Sequence, residues 1–408
     1  MDSTTAAAKL MSALLMLFLL LSAISAVALA SSNPRLALEH HRFQRHSHAR
    51  EVARSPTGEL ALFNREVYAY SSQLSLAQEA RRYSVMILQA PYGWLVSRLH
   101  RYNPRLQVYM YQYIMYANPA DPHGLELCTS LPAAVAHNWF LRGPDGRPLR
   151  AGLSSGLDIG IPSFQHACAS HAVALAKRYG FDGVFLDGVG ALPDYQFGRP
   201  VTAAKYPTHR GWMAAMTSFL VTMSDTVHAH RLKVIANIGG PQAWQRWSPL
   251  LDGSMEESWT DGGLGLGQQV AWWKRKLQNA AWSEAHGRYA LLHSHNAGEA
   301  GNVYGLASML LIAAGHSSYS TSNTNYVGAE EWFPEYGLAQ RLGPPAGHYL
   351  QLRNGVYERR FANGLVVVNP TLHSAGPVRL HGSYSGSGLV HATSVSLGPT
   401  SGLILLHG

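Results

Sequence analysis

The chain has 408 residues, 47% of them hydrophobic and only 14% charged, with 20 Tyr and 10 Trp, so it holds enough apolar and aromatic side chains for large cores. Intrinsic disorder over most of its length is excluded. The net charge is +8, from 32 Lys and Arg against 24 Asp and Glu, but no block of like charges and no basic recognition motif occurs, which argues against a nucleic-acid binder.

Residues 1–30 read as a signal peptide. Lys9 precedes an uncharged leucine-rich run that closes on Ala28-Leu29-Ala30, an A-x-A cleavage pattern. The run is also just long enough for a signal anchor, although Arg35, Arg42, Arg45 and Arg50 on its far side are the wrong charge balance. No second membrane-length apolar span follows, so the mature chain is expected to be secreted without a stable membrane span. Residues 31–58 form a His- and Arg-rich leader; Ser31 to Arg54 carries five Arg against two Glu, leaving a net +5 for the barrel and β-domain that follow. Cys128 and Cys168 allow one disulfide, and spacing alone does not choose between that bond and two buried thiols. Neither sits in a metal-binding pair, so no metal or other cofactor is expected.

From residue 59 to 341, short apolar runs alternate with amphipathic segments, the pattern of βα units around a parallel sheet. Strands are predicted at 83–89, 107–114, weakly at 139–141 or 157–161, then at 183–187, 233–238, 253–257, 289–293 and 316–320. Helices are predicted at 164–179, 211–230 and 267–286. The fold class is therefore α/β, a (β/α)8 TIM barrel. Residues 342–408 read as a small C-terminal antiparallel β-domain, with strands at 356–361, 365–368, 378–380 and 402–406 and a hairpin turn at Ala362-Asn363-Gly364.

A barrel gathers its chemistry where the strands end. Asp182-Gly183-Val184-Phe185-Leu186-Asp187 and Asp252-Gly253-Ser254-Met255-Glu256-Glu257 resemble each other and align Asp187 with Glu257. Each acid lies two positions after an apolar residue, hence on the same strand face. Two carboxylates at one barrel mouth are what glycoside hydrolysis needs; the competing reading makes each acid a helix cap or an arginine partner. Asn237, Asp158, His293, Trp259 and the adjacent Glu256 are candidates for binding substrate, with His295 sharing the face of His293 and Trp332 a further aromatic candidate. Asn237 reads equally as a turn residue, Asp158 as a cap, and His293 as a core residue. Tyr109, Tyr111 and Tyr113 alternate along one strand, and aromatic sets of this kind are mostly core. No G-x-S-x-G, GxGxxG, Walker or H-E-x-x-H motif occurs.

The segments Gly180 to Asp187, Asp252 to Trp259 and Arg360 to Pro370 resemble glycosyl-hydrolase-like TIM-barrel proteins related to endo-α-1,4-polygalactosaminidases and, more remotely, to α-galactosidases. The resemblance implies a carboxylate pair at the ends of the fourth and sixth strands, Asp187 as nucleophile and Glu257 as acid/base. One departure is that Glu256 stands where the family pattern has an apolar residue, so two acids compete, with Glu257 favoured by alternation. The expected activity is hydrolysis of an extracellular polysaccharide or glycan. The alternative is a catalytically inactive carbohydrate-binding barrel. No N-x-S/T sequon occurs.

Overall fold

A computed structural model describes residues 62–66, 74–193, 197, 201–260, 269–295, 298–322 and 332–408. The expected signal peptide and leader lie outside the described residues.

In chain order the first strands are β1 (Phe63–Glu66), β2 (Val85–Leu88) and β3 (Gln107–Tyr113). An excursion of three short strands follows, β4 (Tyr116–Ala117), β5 (Arg150–Ala151) and β6 (Ser154–Gly156). The chain then returns to β7 (Gly183–Gly190), β8 (Lys233–Gly239), β9 (Gly253–Glu256), β10 (Tyr289–His295) and β11 (Ser317–Ser322). Strands β1–β3 and β7–β11 pair in parallel as one sheet in the order β1-β2-β3-β7-β8-β9-β10-β11. The sheet curls into a nearly closed barrel, because Leu62 beside β1 makes a parallel bridge to Tyr319 of β11. Parallel neighbours need crossovers, and helices Pro162–Tyr179, His209–Ala229 and Gln269–Ala285 supply three of them.

Period-two alternation sorts the strand residues. Val85, Ile87, Tyr109, Tyr111, Phe185, Ile235, Met255, Tyr289 and Leu291 form one apolar cluster inside the barrel. Their neighbours, among them Met86, Val108, Val184, Val234 and Leu292, pack outward with the helices.

One expected strand is corrected. Residues 139–141 and 157–161 are not part of the barrel sheet; Phe140 and Leu157 pair antiparallel within the excursion. The missing barrel strand is β1, whose Phe63-Asn64-Arg65-Glu66 sequence has no apolar run to betray it.

The matched Asp-Gly pairs belong to the fold. Asp182 Oδ2 accepts hydrogen bonds from the Val108 N–H at 2.7 Å and from His100 Nε2 at 3.0 Å. Asp252 Oδ2 accepts from the Val234 N–H at 2.8 Å and from His228 Nε2 at 2.7 Å. Each Asp thus ties its own strand to the start of the preceding one and to the helix before that. The glycines are needed because the next strand comes close: a Cβ on Gly183 would lie 2.2 Å from the Lys233 carbonyl oxygen, and one on Gly253 would lie 2.5 Å from Tyr289 Cβ.

Beyond helix Pro334–Arg341 the chain forms a separate antiparallel sheet. Its strands are β12 (Leu350–Gln351), β13 (Tyr357–Phe361), β14 (Gly364–Asn369), β15 (Ala375–Gly386), β16 (Leu389–Leu397) and β17 (Ser401–His407), in the order β12-β13-β14-β17-β15-β16. The predicted hairpin joins β13 to β14, with Phe361 opposite Gly364. Arg359 docks this sheet on the barrel layer, donating to the Leu310 and Ala313 carbonyls at 2.9 and 2.8 Å. Cys128 and Cys168 form a disulfide, Cα atoms 4.9 Å apart, which ties the excursion to helix Pro162–Tyr179. Among the described residues no helix is long and apolar enough to cross a membrane.

Candidate active site

The interior face of β7 carries Phe185 and then Asp187, so the carboxylate emerges at the mouth directly above the apolar filling. A bulge re-aims the strand here: the register against β8 shifts between Leu186 and Val189, and Gly188 takes a φ of +86°. That conformation turns the Gly188 N–H back onto Asp187 Oδ1 at 2.8 Å. Asn237 Nδ2 donates to the same oxygen at 3.0 Å, and the Tyr111 hydroxyl donates to Oδ2 at 2.8 Å. Three donors on one carboxylate favour its ionised form.

Asn237 ends the inward row of β8 above Ile235, and it does more than face the mouth. Its Nδ2 also donates to Glu257 Oε2 at 2.5 Å. Oxygens held 3.0 and 2.5 Å from one nitrogen are at most 5.5 Å apart. With the two N–H bonds of a planar amide directed at roughly 120°, the separation is roughly 4.8 Å. Asp187 and Glu257, which sequence matching paired from two different strands, therefore meet in space. Both are partly exposed, whereas Asn237 is buried.

Alternation also separates the two adjacent glutamates. Met255 faces the barrel interior and Glu257 continues its row, while Glu256 points outward, buried, 3.3 Å from Lys276 Nζ on helix Gln269–Ala285 and accepting from the Ser258 N–H at 3.2 Å. Glu256 is thus not brought to the mouth as a substrate contact. Trp259 is corrected in the same way: it is 1% exposed, and its indole N–H donates to the Gly305 carbonyl at 3.0 Å, so the ring fills space against helix Gly298–Leu310 and offers no platform for a sugar. Asp158 is buried and engaged by Lys205 Nζ at 2.8 Å, the Gly160 N–H at 3.0 Å and the Tyr206 hydroxyl. Burial and this carboxylate together push the Tyr206 hydroxyl far above its usual range. Asp158 is a structural anchor of its loop, held by Lys205, Gly160 and Tyr206. His293 is 1% exposed, with Nδ1 2.7 Å from Ser320 Oγ; it supports the floor of the mouth from β10 to β11. The side chain of His295 is not described. Trp332 is half-exposed, and the Arg82 guanidinium covers one of its faces at 5.1 Å.

Two tyrosines of the row read mostly as core, together with Tyr116 and Phe197, also line the mouth. Tyr111 sat in a visible alternating row, but only the geometry reveals its hydroxyl on Asp187. Tyr113 stacks on Tyr116 of the excursion at 5.3 Å, and Phe197 meets Tyr116 edge-on at 5.9 Å, forming an aromatic wall beside Asp187. Among the described residues no group of three or more His, Cys, Asp or Glu is placed to hold a metal ion.

Residues 100–365 match the family described as Hypothetical glycosyl hydrolase family 15. No curated protein matches the chain. Similar solved structures include a noncanonic maltogenic α-amylase of Thermotoga neapolitana, at 13% identity and a TM-score of 0.49, covering 86% of this chain and 96% of that one. An α-amylase of Geobacillus thermoleovorans complexed with acarbose is 10% identical, with a TM-score of 0.46 and coverages of 86% and 98%. A GH36 α-galactosidase of Geobacillus stearothermophilus in complex with raffinose is 12% identical, with a TM-score of 0.48; 87% of this chain is covered but only 56% of the galactosidase.

Proposed function

The chain belongs to the family described as Hypothetical glycosyl hydrolase family 15, and from that premise we propose that it is a secreted (β/α)8 glycoside hydrolase that cleaves O-glycosidic bonds of an extracellular polysaccharide or glycan with retention of configuration. Asp187 is the nucleophile and Glu257 the general acid/base. The relation to endo-α-1,4-polygalactosaminidases is part of the same proposal.

The observation that carries this reading is the Asn237 amide, whose nitrogen holds one oxygen of each carboxylate within 5.5 Å of the other. Retaining glycosidases place their carboxyl groups about 5–5.5 Å apart, whereas inverting enzymes need roughly 6.5–9.5 Å to admit a water. In the first step a carboxylate oxygen of Asp187 attacks the anomeric carbon while Glu257 passes its proton to the departing glycosidic oxygen, leaving a glycosyl ester on Asp187. In the second, Glu257 takes a proton from water, which attacks the same carbon and frees Asp187. The Gly188 and Tyr111 donors keep Asp187 ionised for the first step and accept its charge back in the second. Support for secretion comes from the leucine-rich N-terminus and from the Cys128–Cys168 disulfide, which persists in oxidising compartments.

The test is a panel of neutral and acidic polysaccharides, read by new reducing ends and by NMR of the first anomer released. Turnover with a retained anomer, lost in both Asp187→Asn and Glu257→Gln, is the expected outcome. Hydrolysis surviving both substitutions overturns the assignment. Glycan-array binding without product on any glycan overturns hydrolysis in favour of a binding protein.

A further inference from the structure

The positive charge expected to be spread over the barrel and β-domain is in fact concentrated. Between residues 80 and 120 there are five arginines, Arg81, Arg82, Arg98, Arg101 and Arg105, and no Asp or Glu, so this window carries +5 of the chain's +8. It contains the 3-10 turn Ala90–Leu95 and the helix Val96–Tyr102, which cover one flank of the barrel between β2 and β3.

The exposed side chains of this segment form a row. Trp94, Arg98, Arg101, Tyr102 and Arg105 recur at intervals of three or four residues and are all exposed, while Val96 and Leu99 face the core. Trp94 is 56% exposed and Tyr102 45%, among the large hydrophobic side chains most open to solvent. The Arg98 guanidinium lies 5.5 Å over the Trp94 ring. Among the described residues Arg98, Arg101 and Arg105 enter no ion pair. Asp182, which touches this helix from below through His100, is already engaged by that ring and by the Val108 N–H.

Position gives the row a direction. The turn Ala90–Leu95 follows the end of β2, so Trp94 lies on the side where the strands end and where Asp187 and Glu257 meet; Arg105 immediately precedes β3 and lies at the opposite end. The row descends the flank from the rim over a length on the order of 15 Å.

We propose that this flank binds an acidic polysaccharide, a polymer bearing carboxylate or sulfate groups along a chain of sugar rings. Flat aromatic faces hold pyranose rings and unpaired guanidinium groups hold the anionic substituents, which together suit such a polymer better than either a neutral glycan or an apolar protein surface. The proposal goes beyond the hydrolytic reading and does not depend on it, since the flank can hold a polymer whether or not the mouth cuts it.

Affinity electrophoresis of the full mature chain through gels containing polygalacturonate, neutral galactan or no polymer tests it. The expected result is retardation by polygalacturonate alone, weakening between roughly 20 and 300 mM salt as exposed charges are screened. Replacing the row with Trp94→Ala, Arg98→Ala and Arg101→Ala together weakens binding about tenfold or more, since exposed guanidinium and ring faces supply the contacts. These side chains are exposed, and an unchanged circular dichroism spectrum and melting point establish that the fold persists. Asp187→Asn binds like the parent, which separates this surface from the proposed catalytic pair. Retardation of the triple variant equal to the parent's overturns the proposal, as does a parent that migrates freely through polygalacturonate. Equal competition by duplex DNA overturns the assignment to a polysaccharide.

Discussion

The two aspartates that open the matched segments allow a test that needs no substrate. Asp252 Oδ2 accepts both the Val234 N–H, at 2.8 Å, and His228 Nε2, at 2.7 Å. Asp252→Ala leaves the N–H of a buried strand residue without that acceptor, which costs about 1–3 kcal/mol. The imidazolium contact adds less, about 0–1 kcal/mol, because the His228 side chain is 45% exposed and water screens the pair. Asp252→Asn keeps an oxygen for the Val234 N–H and removes only the charge, so its cost follows the charge on His228. The hydrogen bond His228 donates to Asp252 raises the His228 pKa; burial opposes this, Asp252 and Asp225 add to it through their charge, and Arg288 subtracts. A raised histidine contributes stability that is complete below its unfolded pKa of about 6.5 and fades as pH climbs through the higher folded value. Urea unfolding followed by tryptophan fluorescence should therefore show Asp252→Asn losing more stability near pH 5.5 than near pH 8.5, with Asp252→Ala worse at both. An equal penalty for Asn at the two pH values, or an Ala variant no worse than Asn, would refute the reasoning. Asp182 with His100, whose pKa is likewise raised mainly by its hydrogen bond to that carboxylate, should repeat the pattern at the neighbouring position.

Other outcomes follow from the site and its surroundings. Glu256→Gln, which disturbs an outward contact with Lys276 at 3.3 Å, should leave turnover within about twofold, whereas Glu257→Gln abolishes it; equal losses in kcat would reverse the assignment of the two acids. Tyr111→Phe removes a donor 2.8 Å from the Asp187 carboxylate, and a hydrogen bond to a charged group is worth about 1.5–3 kcal/mol, so kcat/KM should fall about ten- to hundredfold with the acid limb of its pH profile moved upward. An unmoved acid limb would show that the hydroxyl only packs. Opening the Cys128–Cys168 loop, 40 residues apart in the chain, with paired Ser substitutions should cost about 4 kcal/mol in denaturant unfolding, and a loss below about 1 kcal/mol would mean the excursion is held by its other contacts.

What the chain announces about itself depends on whether the deciding signal is local. Strands such as 107–113 and 233–239 were visible because both faces are buried and the run is mostly apolar or aromatic. β1 was invisible for the converse reason: four residues, two of them charged, form a strand because β2 offers them a parallel partner from Val85 to Leu88. The segments at 139–141 and 157–161 are apolar enough to pass for a barrel strand, yet they pair with each other across the excursion, a long-range choice that periodicity does not encode. The same distinction governs the site. Asp187 and Glu257 were legible because each repeats the same offset from an Asp-Gly pair. Asn237 was legible as a rim residue, but its bridging of both acids is a contact between strands. Trp259, two positions past Glu257, shares its parity yet faces away from the mouth, because β9 ends at Glu256 and alternation no longer governs the turn in which the indole packs against helix Gly298–Leu310.

Strand β17 has an unusual place. β17, Ser401–His407, lies between β14 and β15 in the middle of its sheet, with all six residues of β14 opposite it from Gly364–Leu406 to Asn369–Ser401. Without β17, β14 shows an open edge of Leu365, Val366, Val367 and Val368, every one of them buried in the finished protein. The sheet therefore cannot close on β14 until the chain has passed through β15 and β16 and β17 is in place, which makes this pairing a long-range step of folding. Deletion of Leu403–Leu406 should therefore give aggregates in place of a folded protein.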